Sequence, residues 1–308
     1  MKKVFIDGSV GTTGLRIYER LVNRDDVTLM LLPEEARKDS EARKQALNSC
    51  DVAFLCLPDA AAVEAVNMIE NPDVTVIDAS TAHRTDEGWC YGFPELSDAI
   101  AKQLPTAKRI AVPGCHASGF IALVYPLIEA GLLAPDVKLT CHSITGYSGG
   151  GKKMIAEYES EEQDFLLAAP RQYGLTQQHK HLKEMKAIAR LECAPIFCPI
   201  VSDFYSGMTV TVPLFAEDVK GTVEDIKSVY RKKYANKIVC FEDNADEGGF
   251  ISAHKLAAKD AMRVTVAGND DRILLIAMYD NLGKGASGAA VECMNYVLGV
   301  DPKKGLEL

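Results

Sequence analysis

The chain has 308 residues, of which 47% are hydrophobic and 25% are charged, so it is long enough for two domains or one large one. Its net charge of −9 argues against sequence-independent nucleic-acid binding, because no basic stripe is available to neutralise phosphates. Nine cysteines without CxxC pairs argue against a disulfide framework or a zinc ribbon, and no apolar run approaches the ~20 residues of a membrane span.

The first predicted element is a short apolar strand, residues 4–6, which runs into a glycine loop with the spacing G-x-x-G-x-x-G. Helix-periodic residues 15–21 follow the loop. Glycines between a strand and a helix let the backbone approach a pyrophosphate at the helix N-terminus. The alternative is a turn that needs glycine only for its conformation. The predicted cofactor-binding residues of this loop are Gly8, Ser9, Gly11, Thr12, Thr13 and Gly14.

The second predicted strand, residues 27–32, bears on the choice of cofactor. An NAD site places an Asp or Glu near the end of this strand to hold the ribose 2′-hydroxyl. Here Pro33 and two acids follow the strand, and then come Arg37 and Lys38. Basic side chains at this place suit a 2′-phosphate, so we expect NADP. A solvated, charged turn is the alternative.

Further apolar strands are predicted at residues 52–57 and 74–79. Continuous apolar strands separated by helical patterns indicate a parallel sheet that helices cover on both faces. We therefore expect a Rossmann-type α/β domain at the N-terminal end of the chain. Three more residues at or just after the ends of these strands are predicted to contact the cofactor: Leu57, Pro58 and Ser80.

Cys115 lies between strand-like residues 109–112 and the apolar, helix-compatible residues 120–124. A cysteine on a Pro-Gly turn before a helix lies near the helix N-terminus, where the dipole and the free N–H groups favour a thiolate. Such a thiolate can attack an acyl carbon, and the same N–H groups can hold the oxyanion that follows. The alternative is a buried structural cysteine, since free cysteines are among the most buried residues.

After Cys115 the pattern changes to an alternating strand, residues 137–145, followed by a Ser- and Gly-rich loop. The loop contains Ser148 and Gly149 and ends in paired lysines. Its N–H groups, hydroxyl and positive charge form a suitable nest for an anion. We expect Ser148 and Gly149 to bind substrate, with a flexible turn carrying a solvated basic face as the alternative.

His179 and His181 are two residues apart, and Glu184 follows three residues later. This spacing can place an imidazole and an orienting carboxylate on one helical face. A zinc site is disfavoured because no third ligand stands at a suitable spacing. A lone histidine is usually structural, but a histidine pair in a chain with a candidate nucleophilic cysteine is a candidate general base. If neither member of the pair is the base, His116 beside Cys115 is the next candidate.

Two later strands, residues 208–214 and 273–279, precede a Gly-rich loop and a helix at residues 289–298. Together the ordered motifs resemble the N-acetyl-γ-glutamyl-phosphate reductases of arginine biosynthesis, in their shorter form, within the aspartate-semialdehyde dehydrogenase superfamily. The resemblance covers nearly the whole chain. Besides the motifs above, it rests on residues 76–84, 91–96, 113–115 and 280–286.

The resemblance implies a two-domain enzyme. Residues 1–115, with a C-terminal helical segment at 285–308 that packs back on them, form the NADP-binding Rossmann domain. Residues 116–284 form a second α/β (α+β) domain for catalysis and oligomerisation. Asn281 is assigned to the cofactor. The chain departs from the family at Lys183, where a proline is common, and this departure leaves the helix start near His181 open.

The implied reaction is the NADPH-dependent reduction of N-acetyl-γ-glutamyl phosphate to N-acetylglutamate 5-semialdehyde with release of phosphate. Cys115 attacks the acyl phosphate to give a thioacyl enzyme, NADPH delivers hydride, and the thiohemiacetal collapses. That collapse needs a proton donor, for which His179 and His181 are both candidates. Arg84 and the Ser148 loop are candidates for binding the substrate anions, although Arg84 can equally be a surface residue.

Two other functions fit parts of the pattern. One is a different acyl-phosphate reductase, such as aspartate-semialdehyde dehydrogenase. The His-x-His motif with Glu184 disfavours this alternative. The other is a non-catalytic NADP-binding redox sensor with Cys115 as its switch. In each case we expect a cytoplasmic homo-oligomer, a dimer or tetramer, without a signal peptide. We expect a small-molecule partner and no metal, membrane or nucleic acid.

Overall fold

The computed structural model describes residues 1–308 and divides the chain into two compact units. The first unit comprises Met1–Gly114 and Ala286–Leu306. The second comprises Cys115–Gly285 and Glu307–Leu308. The division expected from the sequence gave Cys115 to the first domain, whereas in the structure this residue begins the second unit. None of the helices combines the length and the apolar character that crossing a bilayer requires.

Strands and helices alternate through the first unit and alternate less regularly in the second. The strands are β1 (Lys2–Asp7), β2 (Val27–Met30), β3 (Val52–Leu55), β4 (Thr75–Asp78), β5 (Cys90–Tyr91), β6 (Arg109–Ala111), β7 (Thr140–Gly146), β8 (Arg171–Gln172), β9 (Ile196–Ser202), β10 (Met208–Phe215), β11 (Val239–Phe241), β12 (Met262–Gly268) and β13 (Arg272–Tyr279). The helices are α1 (Thr12–Leu21), α2 (Ser40–Ser49), α3 (Asp59–Asn67), α4 (Asp98–Gln103), α5 (Cys115–Glu129), α6 (Gly151–Tyr158), α7 (His181–Ile188), α8 (Val223–Lys233) and α9 (Gly288–Leu298).

The first unit contains a six-stranded sheet in the order β2-β1-β3-β4-β6-β5, and every neighbouring pair is parallel. All residues of β3 and β4 are buried, as expected for strands covered on both faces. The predicted Rossmann-type sheet is confirmed. The sheet brings the C-terminal ends of β1, β3 and β4 to one edge, where open α/β sheets bind their ligands.

The C-terminal helix α9 belongs to the first unit, as the sequence predicted. Its residues Ala290 and Met294 share one buried cluster with Val4 of β1 and Ile17 of α1. The helix ends at Gly299, whose φ of 67° is the left-handed conformation that commonly terminates helices. The residue pattern predicted a helix at residues 289–298, and the resemblance began the helical segment at 285; the regular α-helix spans Gly288–Leu298.

The second unit is built on a seven-stranded mixed sheet in the order β11-β12-β13-β10-β7-β9-β8. In this unit α5 packs against α7 and α8, and both α5 and α8 contact strands of the sheet. Residues 116–127 of α5 are all buried, which is typical of a helix in the centre of a core. The sequence did not predict β9, since Pro199 interrupts its strand pattern. In the structure Pro199 is nevertheless within a strand that pairs on both sides.

Candidate active site

Cys115 is the first residue of α5, and Tyr279 at the end of β13 holds this end of the helix. The Tyr279 hydroxyl donates a hydrogen bond to the Cys115 carbonyl oxygen at 2.6 Å and accepts one from the Gly119 N–H at 3.1 Å. A Cβ atom at Gly119 would lie 2.7 Å from the Tyr279 oxygen, so only glycine permits this arrangement. The thiol therefore lies at the positive end of a 15-residue helix, which favours the thiolate.

The other cysteines occupy different environments. Cys115 alone among the nine is the first residue of a helix, and it is half-buried. Burial raises the pKa of the Cys50 and Cys90 thiols to about 12 and about 11, and it also raises the pKa of Cys141. These buried thiols stay protonated at neutral pH and are poor nucleophiles.

Three histidines lie close together, and one of them, His116, directly follows Cys115 in the sequence. The ring centroids are 4.7 Å apart for His179 and His181, 5.6 Å for His116 and His181, and 6.1 Å for His116 and His179. Helix α7 begins at His181, which settles the question that Lys183 left open. Glu184 lies three residues further along this helix and is 2% exposed, so a carboxylate and an imidazole are buried at its start.

The two histidines of the His-x-His motif differ in their local roles. The backbone N–H of His181 donates to Nδ1 of His179 at 3.2 Å, so the His179 ring helps to begin α7. Burial and the Lys180 ammonium lower the pKa of His179. The His181 side chain is more deeply buried and has Glu184 on the same helix.

His116, the further candidate for the base, is poorly suited to that role. Burial lowers its pKa to about 3, and His179 contributes to the shift. Both ring nitrogens are already engaged, Nδ1 with Ser143 Oγ and Nε2 with Tyr173 Oη, each at 2.6 Å. A ring that stays neutral and is bonded on both sides does not readily take up a proton.

The predicted anion loop forms a short turn, Tyr147–Gly150, before α6. Ser148 is buried, and its Oγ accepts a hydrogen bond from Nδ2 of Asn281 at 3.0 Å. Oδ1 of Asn281 accepts the Gly207 N–H at 2.9 Å. Asn281, predicted to contact the cofactor, is thus bonded directly to Ser148, predicted to contact substrate. Gly149 is exposed at the tip of the same turn.

The loop after β13 packs against Cys115. A Cβ atom at Gly285 would lie 3.2 Å from the Cys115 Cβ, so the backbone approaches the cysteine closely here. Asp280 holds this loop, accepting the Ser206 hydroxyl at 2.6 Å and the Leu282 N–H at 2.7 Å. The sequence analysis assigned no role to Tyr279 or Asp280. Asp280 is the first residue of the motif at 280–286, and Tyr279 directly precedes it.

Arg84 lies in the first unit and is only 8% exposed, so it is not the surface residue that the sequence left as an alternative. Its Nε donates to the Val112 carbonyl at 2.9 Å and its Nη2 to the Ala79 carbonyl at 3.1 Å. Nearby in sequence, the Ser80 hydroxyl donates to the buried carboxylate of Asp78 at 2.7 Å. The segment that carries Ser80 and Arg84 is therefore held firmly by hydrogen bonds.

A cavity of about 550 Å³ lies in the first unit beside the glycine loop. Six of its lining residues were predicted to bind the cofactor: Gly8, Ser9, Arg37, Lys38, Leu57 and Pro58. The lining residues that the sequence did not single out include Asp7, Glu34 and Arg43. The size and lining of this cavity are suitable for part of a dinucleotide.

The glycine loop has the geometry that a pyrophosphate site needs. Gly8 has φ +85°, and a Cβ atom there would lie 2.3 Å from the Cys56 carbonyl oxygen. A Cβ atom at Gly14 would lie 2.3 Å from the Gly8 carbonyl oxygen. Gly11 precedes α1, and no side chain caps this helix, so the N–H groups of Thr12 and Thr13 at its start face no competing side-chain cap. Such a helix start binds phosphate well.

The positive charges at this cavity are not equivalent. Arg43 donates two hydrogen bonds to the Asp7 carboxylate, at 2.9 and 3.1 Å, so its charge is balanced inside the protein. Burial raises the pKa of Asp7, while Arg43 opposes that shift. Arg37 contacts the Leu32 carbonyl, and neither Arg37 nor Lys38 forms a salt bridge with a carboxylate. These two charges remain to bind a 2′-phosphate, and the residues present fit NADP.

Replacing Arg37 and Lys38 together by alanine is expected to weaken NADPH binding by roughly tenfold or more, because two charge-assisted contacts to the 2′-phosphate are lost. NADH binding should change much less. Fluorescence titration with both cofactors measures the difference. Lys44→Ala is the matched control, since Lys44 pairs with Glu70 and does not line the cavity. Equal weakening for both cofactors would show that the two residues form only a charged turn.

Comparison with known proteins identifies both units. Residues 3–103 match the family described as semialdehyde dehydrogenase, NAD binding domain, and residues 115–281 match semialdehyde dehydrogenase, dimerisation domain. A relative from Brucella ovis named N-acetyl-gamma-glutamyl-phosphate reductase is 43% identical, covering 96% of this chain and 99% of its own. One of the same name from Allorhizobium ampelinum is 44% identical over 96% and 98%.

A solved structure shows the same fold at low sequence identity. Aspartate semialdehyde dehydrogenase II from Vibrio cholerae superposes with a TM-score of 0.74 at 17% identity, covering 97% of this chain and 98% of its own. At that identity the likeness concerns the fold alone.

Proposed function

The chain belongs to the N-acetyl-γ-glutamyl-phosphate reductases, NADP-dependent oxidoreductases of the semialdehyde dehydrogenase superfamily, and we propose that Cys115 is its nucleophile. The family reaction reduces N-acetyl-γ-glutamyl phosphate to N-acetylglutamate 5-semialdehyde and releases phosphate, in arginine biosynthesis. The observation that carries the proposal is the position of Cys115 at the start of α5, with half-buried His179, buried His181 and buried Glu184 in the same unit.

The first half of the reaction forms a thioester. The Cys115 thiolate attacks the acyl carbon, a tetrahedral intermediate forms, and its collapse breaks the bond to phosphate. The N–H groups at the start of α5 can hold the developing oxyanion, because they point along the axis of the helix dipole. Splitting the reaction at a covalent intermediate lowers the barrier of each step.

The second half of the reaction releases the aldehyde and regenerates the thiol of Cys115. Bound NADPH supplies the hydride that reduces the thioester carbon. His181 takes the proton of the thiol at the start of the cycle and returns it to the sulfur when the thiohemiacetal collapses. We assign this role to His181 rather than His179 because Nδ1 of His179 accepts the hydrogen bond that begins α7. Glu184 supports the His181 imidazolium from the same helix.

Charged and polar groups are assigned to the anions of substrate and cofactor. Arg84 is buried with two of its nitrogens on carbonyl groups, which orients the guanidinium for a phosphate or carboxylate. Ser148 and Gly149 offer a hydroxyl and backbone N–H groups. Gly8, Ser9, Gly11 and the first turn of α1 are assigned to the pyrophosphate, and Arg37 with Lys38 to the 2′-phosphate.

The sheet of the second unit has one face that helices do not cover. Large apolar side chains stand exposed on it, Ile144 on β7, Ile196 on β9, Phe215 on β10 and Leu274 on β13. The strand registers place these residues on the same side of the sheet. An apolar surface of this kind supports a homo-oligomer, a dimer or tetramer, whose molar mass light scattering measures.

The reverse reaction tests the assignment. With phosphate and NADP⁺, the enzyme is expected to form NADPH, read by absorbance, from N-acetylglutamate 5-semialdehyde and far more slowly from aspartate semialdehyde. The two substrates differ in chain length and in the acetylated amine, so one assay separates the two reductases. A faster reaction with aspartate semialdehyde would contradict the substrate. NADP binding without NADPH formation from either aldehyde would favour the redox sensor.

A further inference from the structure

A carboxylate lines the cofactor cavity at a place where it opposes the binding of an anionic ligand. Asp7 is the last residue of β1 and directly precedes Gly8 of the glycine loop. It lines the cavity of about 550 Å³ together with Arg37 and Lys38. The cavity is assigned to NADP, which carries a pyrophosphate and a 2′-phosphate. An ionised carboxyl group in the lining repels these phosphates, because like charges repel over the short distances of such a cavity.

Water does little to screen the charge of Asp7. The Asp7 side chain is only 5% exposed, whereas the other acidic residue of the lining, Glu34, is exposed. Solvent and salt screen an exposed charge strongly and a buried charge much less. Asp7 is therefore the carboxylate of the lining that would act most strongly on a bound phosphate.

Arg43 compensates the charge of Asp7. It belongs to α2, and its side chain is 9% exposed. Its Nε and Nη2 both donate to Oδ2 of Asp7, at 3.1 and 2.9 Å. Two N–H groups of one planar guanidinium fix the pair more firmly than a single contact. Asp39 caps α2 by accepting the Ala42 N–H at 2.7 Å, so the helical turn that carries Arg43 is itself held in place.

A role in stability alone does not account for the Asp7–Arg43 pair. Burying two opposite charges costs desolvation energy that their attraction often does not fully return, so a buried ion pair is weak evidence for stability. Both members of this pair line the cavity, so the pair also sets the electrostatic field that a ligand meets there. Breaking the pair would leave a buried, uncompensated carboxylate in the lining.

We propose that Arg43 determines cofactor specificity as the counter-ion of Asp7: by neutralising this carboxylate it lets the cavity accept a cofactor that carries a 2′-phosphate. The inference rests on the assignment of the cavity to NADP in the proposed function. Arg37 and Lys38 attract the 2′-phosphate, and Arg43 removes the repulsion that opposes it. With Arg43 the lining has three basic residues against its two acidic ones.

The test is a double-mutant cycle on the pair, in which isothermal titration calorimetry of the full-length protein measures the affinities for NADP⁺ and NAD⁺. Burial raises the pKa of Asp7, so a mildly alkaline buffer is used to keep its carboxyl group ionised. Arg43→Gln is expected to weaken NADP⁺ binding by roughly tenfold more than NAD⁺ binding, because the uncompensated carboxylate repels the additional phosphate. Combining Arg43→Gln with Asp7→Asn should restore the wild-type ratio of the two affinities.

Two further variants separate the effect of charge from a loss of structure. Asp7→Asn alone leaves the Arg43 charge uncompensated and should strengthen NADP⁺ binding relative to NAD⁺ binding. Arg24→Gln is the matched control, since Arg24 forms another buried pair of the same unit, with Asp26 at 2.6 Å, and does not line the cavity. It should keep the wild-type ratio. Both cofactors titrate the same folded molecules, so the ratio does not depend on how much of a variant is folded.

The outcomes separate this inference from the function on which it rests. Equal affinities of the wild type for NADP⁺ and NAD⁺ would contradict the assignment of the cavity to a cofactor with a 2′-phosphate. A wild type that prefers NADP⁺, together with an unchanged ratio in Arg43→Gln, would overturn the role of Arg43 alone. A double variant that stays as unselective as Arg43→Gln would also overturn the counter-ion role, because Arg43 would then act on the cofactor directly and not through Asp7.

Discussion

Cys115→Ser is expected to abolish phosphate-dependent oxidation of N-acetylglutamate 5-semialdehyde while leaving the affinity for NADP nearly unchanged. A serine hydroxyl is far less ionised than a thiol at a helix N-terminus, so the nucleophile is lost without a change of shape. The residues that line the cofactor cavity all lie between positions 5 and 61, so they do not include Cys115. Steady-state NADPH formation and NADP titration measure the two effects separately.

Cys193→Ser is the matched control for this prediction. Cys193 is also half-buried, but it lies outside helices and strands, and its sulfur accepts a hydrogen bond from the exposed Lys138. Its replacement should leave turnover as in the wild type. Iodoacetamide should label Cys115 ahead of the other eight cysteines, and an acyl-phosphate substrate should protect it. Substantial activity in Cys115→Ser would refute a covalent mechanism.

The second large effect is expected for His181→Asn, with a loss in kcat of roughly 100- to 10,000-fold, the usual contribution of a general acid–base. His181 is buried at the start of α7, and the proposed mechanism makes it the group that exchanges a proton with the thiol. Single-turnover measurements with the acyl phosphate would place the loss in the chemical steps instead of product release.

His179→Asn is the comparison for this prediction. Its main expected effect is a higher KM, because the His179 ring accepts the N–H bond that begins α7 and so positions the segment. Glu184→Gln should resemble a milder His181 variant, since it removes the carboxylate that supports the imidazolium and keeps the imidazole. If His179→Asn suffers the larger loss in kcat, the two assignments must be exchanged.

Local pattern was sufficient for the parallel sheet and for the place of Cys115 at the start of a helix. Strands such as β3 and β4 are continuous apolar runs, and a sheet covered on both faces needs nothing else in its sequence. The glycine loop was predictable for a similar reason. At Gly8 and Gly14 a Cβ atom would collide with backbone, and Gly11 lies where the turn leads into α1. The requirement for glycine is therefore visible in the spacing of neighbouring residues.

Strand β9 and the burial of Arg84 were not predictable from local pattern. Pro199 reads as a break, and only its neighbours β7 and β8 make the segment a strand. Arg84 reads equally well as a surface residue, and the carbonyls of Ala79 and Val112 that hold it become visible only when the strands are assembled. Arg43 was missed because its partner Asp7 is distant in sequence.

The sequence by itself determined the two-domain α/β architecture, the family and the residue types of the chemistry, because glycine spacing, apolar periodicity and motif order are local properties of the chain. Only the tertiary structure showed that the His179 ring accepts the His181 N–H and that Ser143, His116 and Tyr173 are hydrogen-bonded in a row. Those relations depend on which side chains meet across separate strands and helices, and on how far burial shifts a pKa. The spacing of residues along the chain specifies neither these contacts nor the pKa shifts.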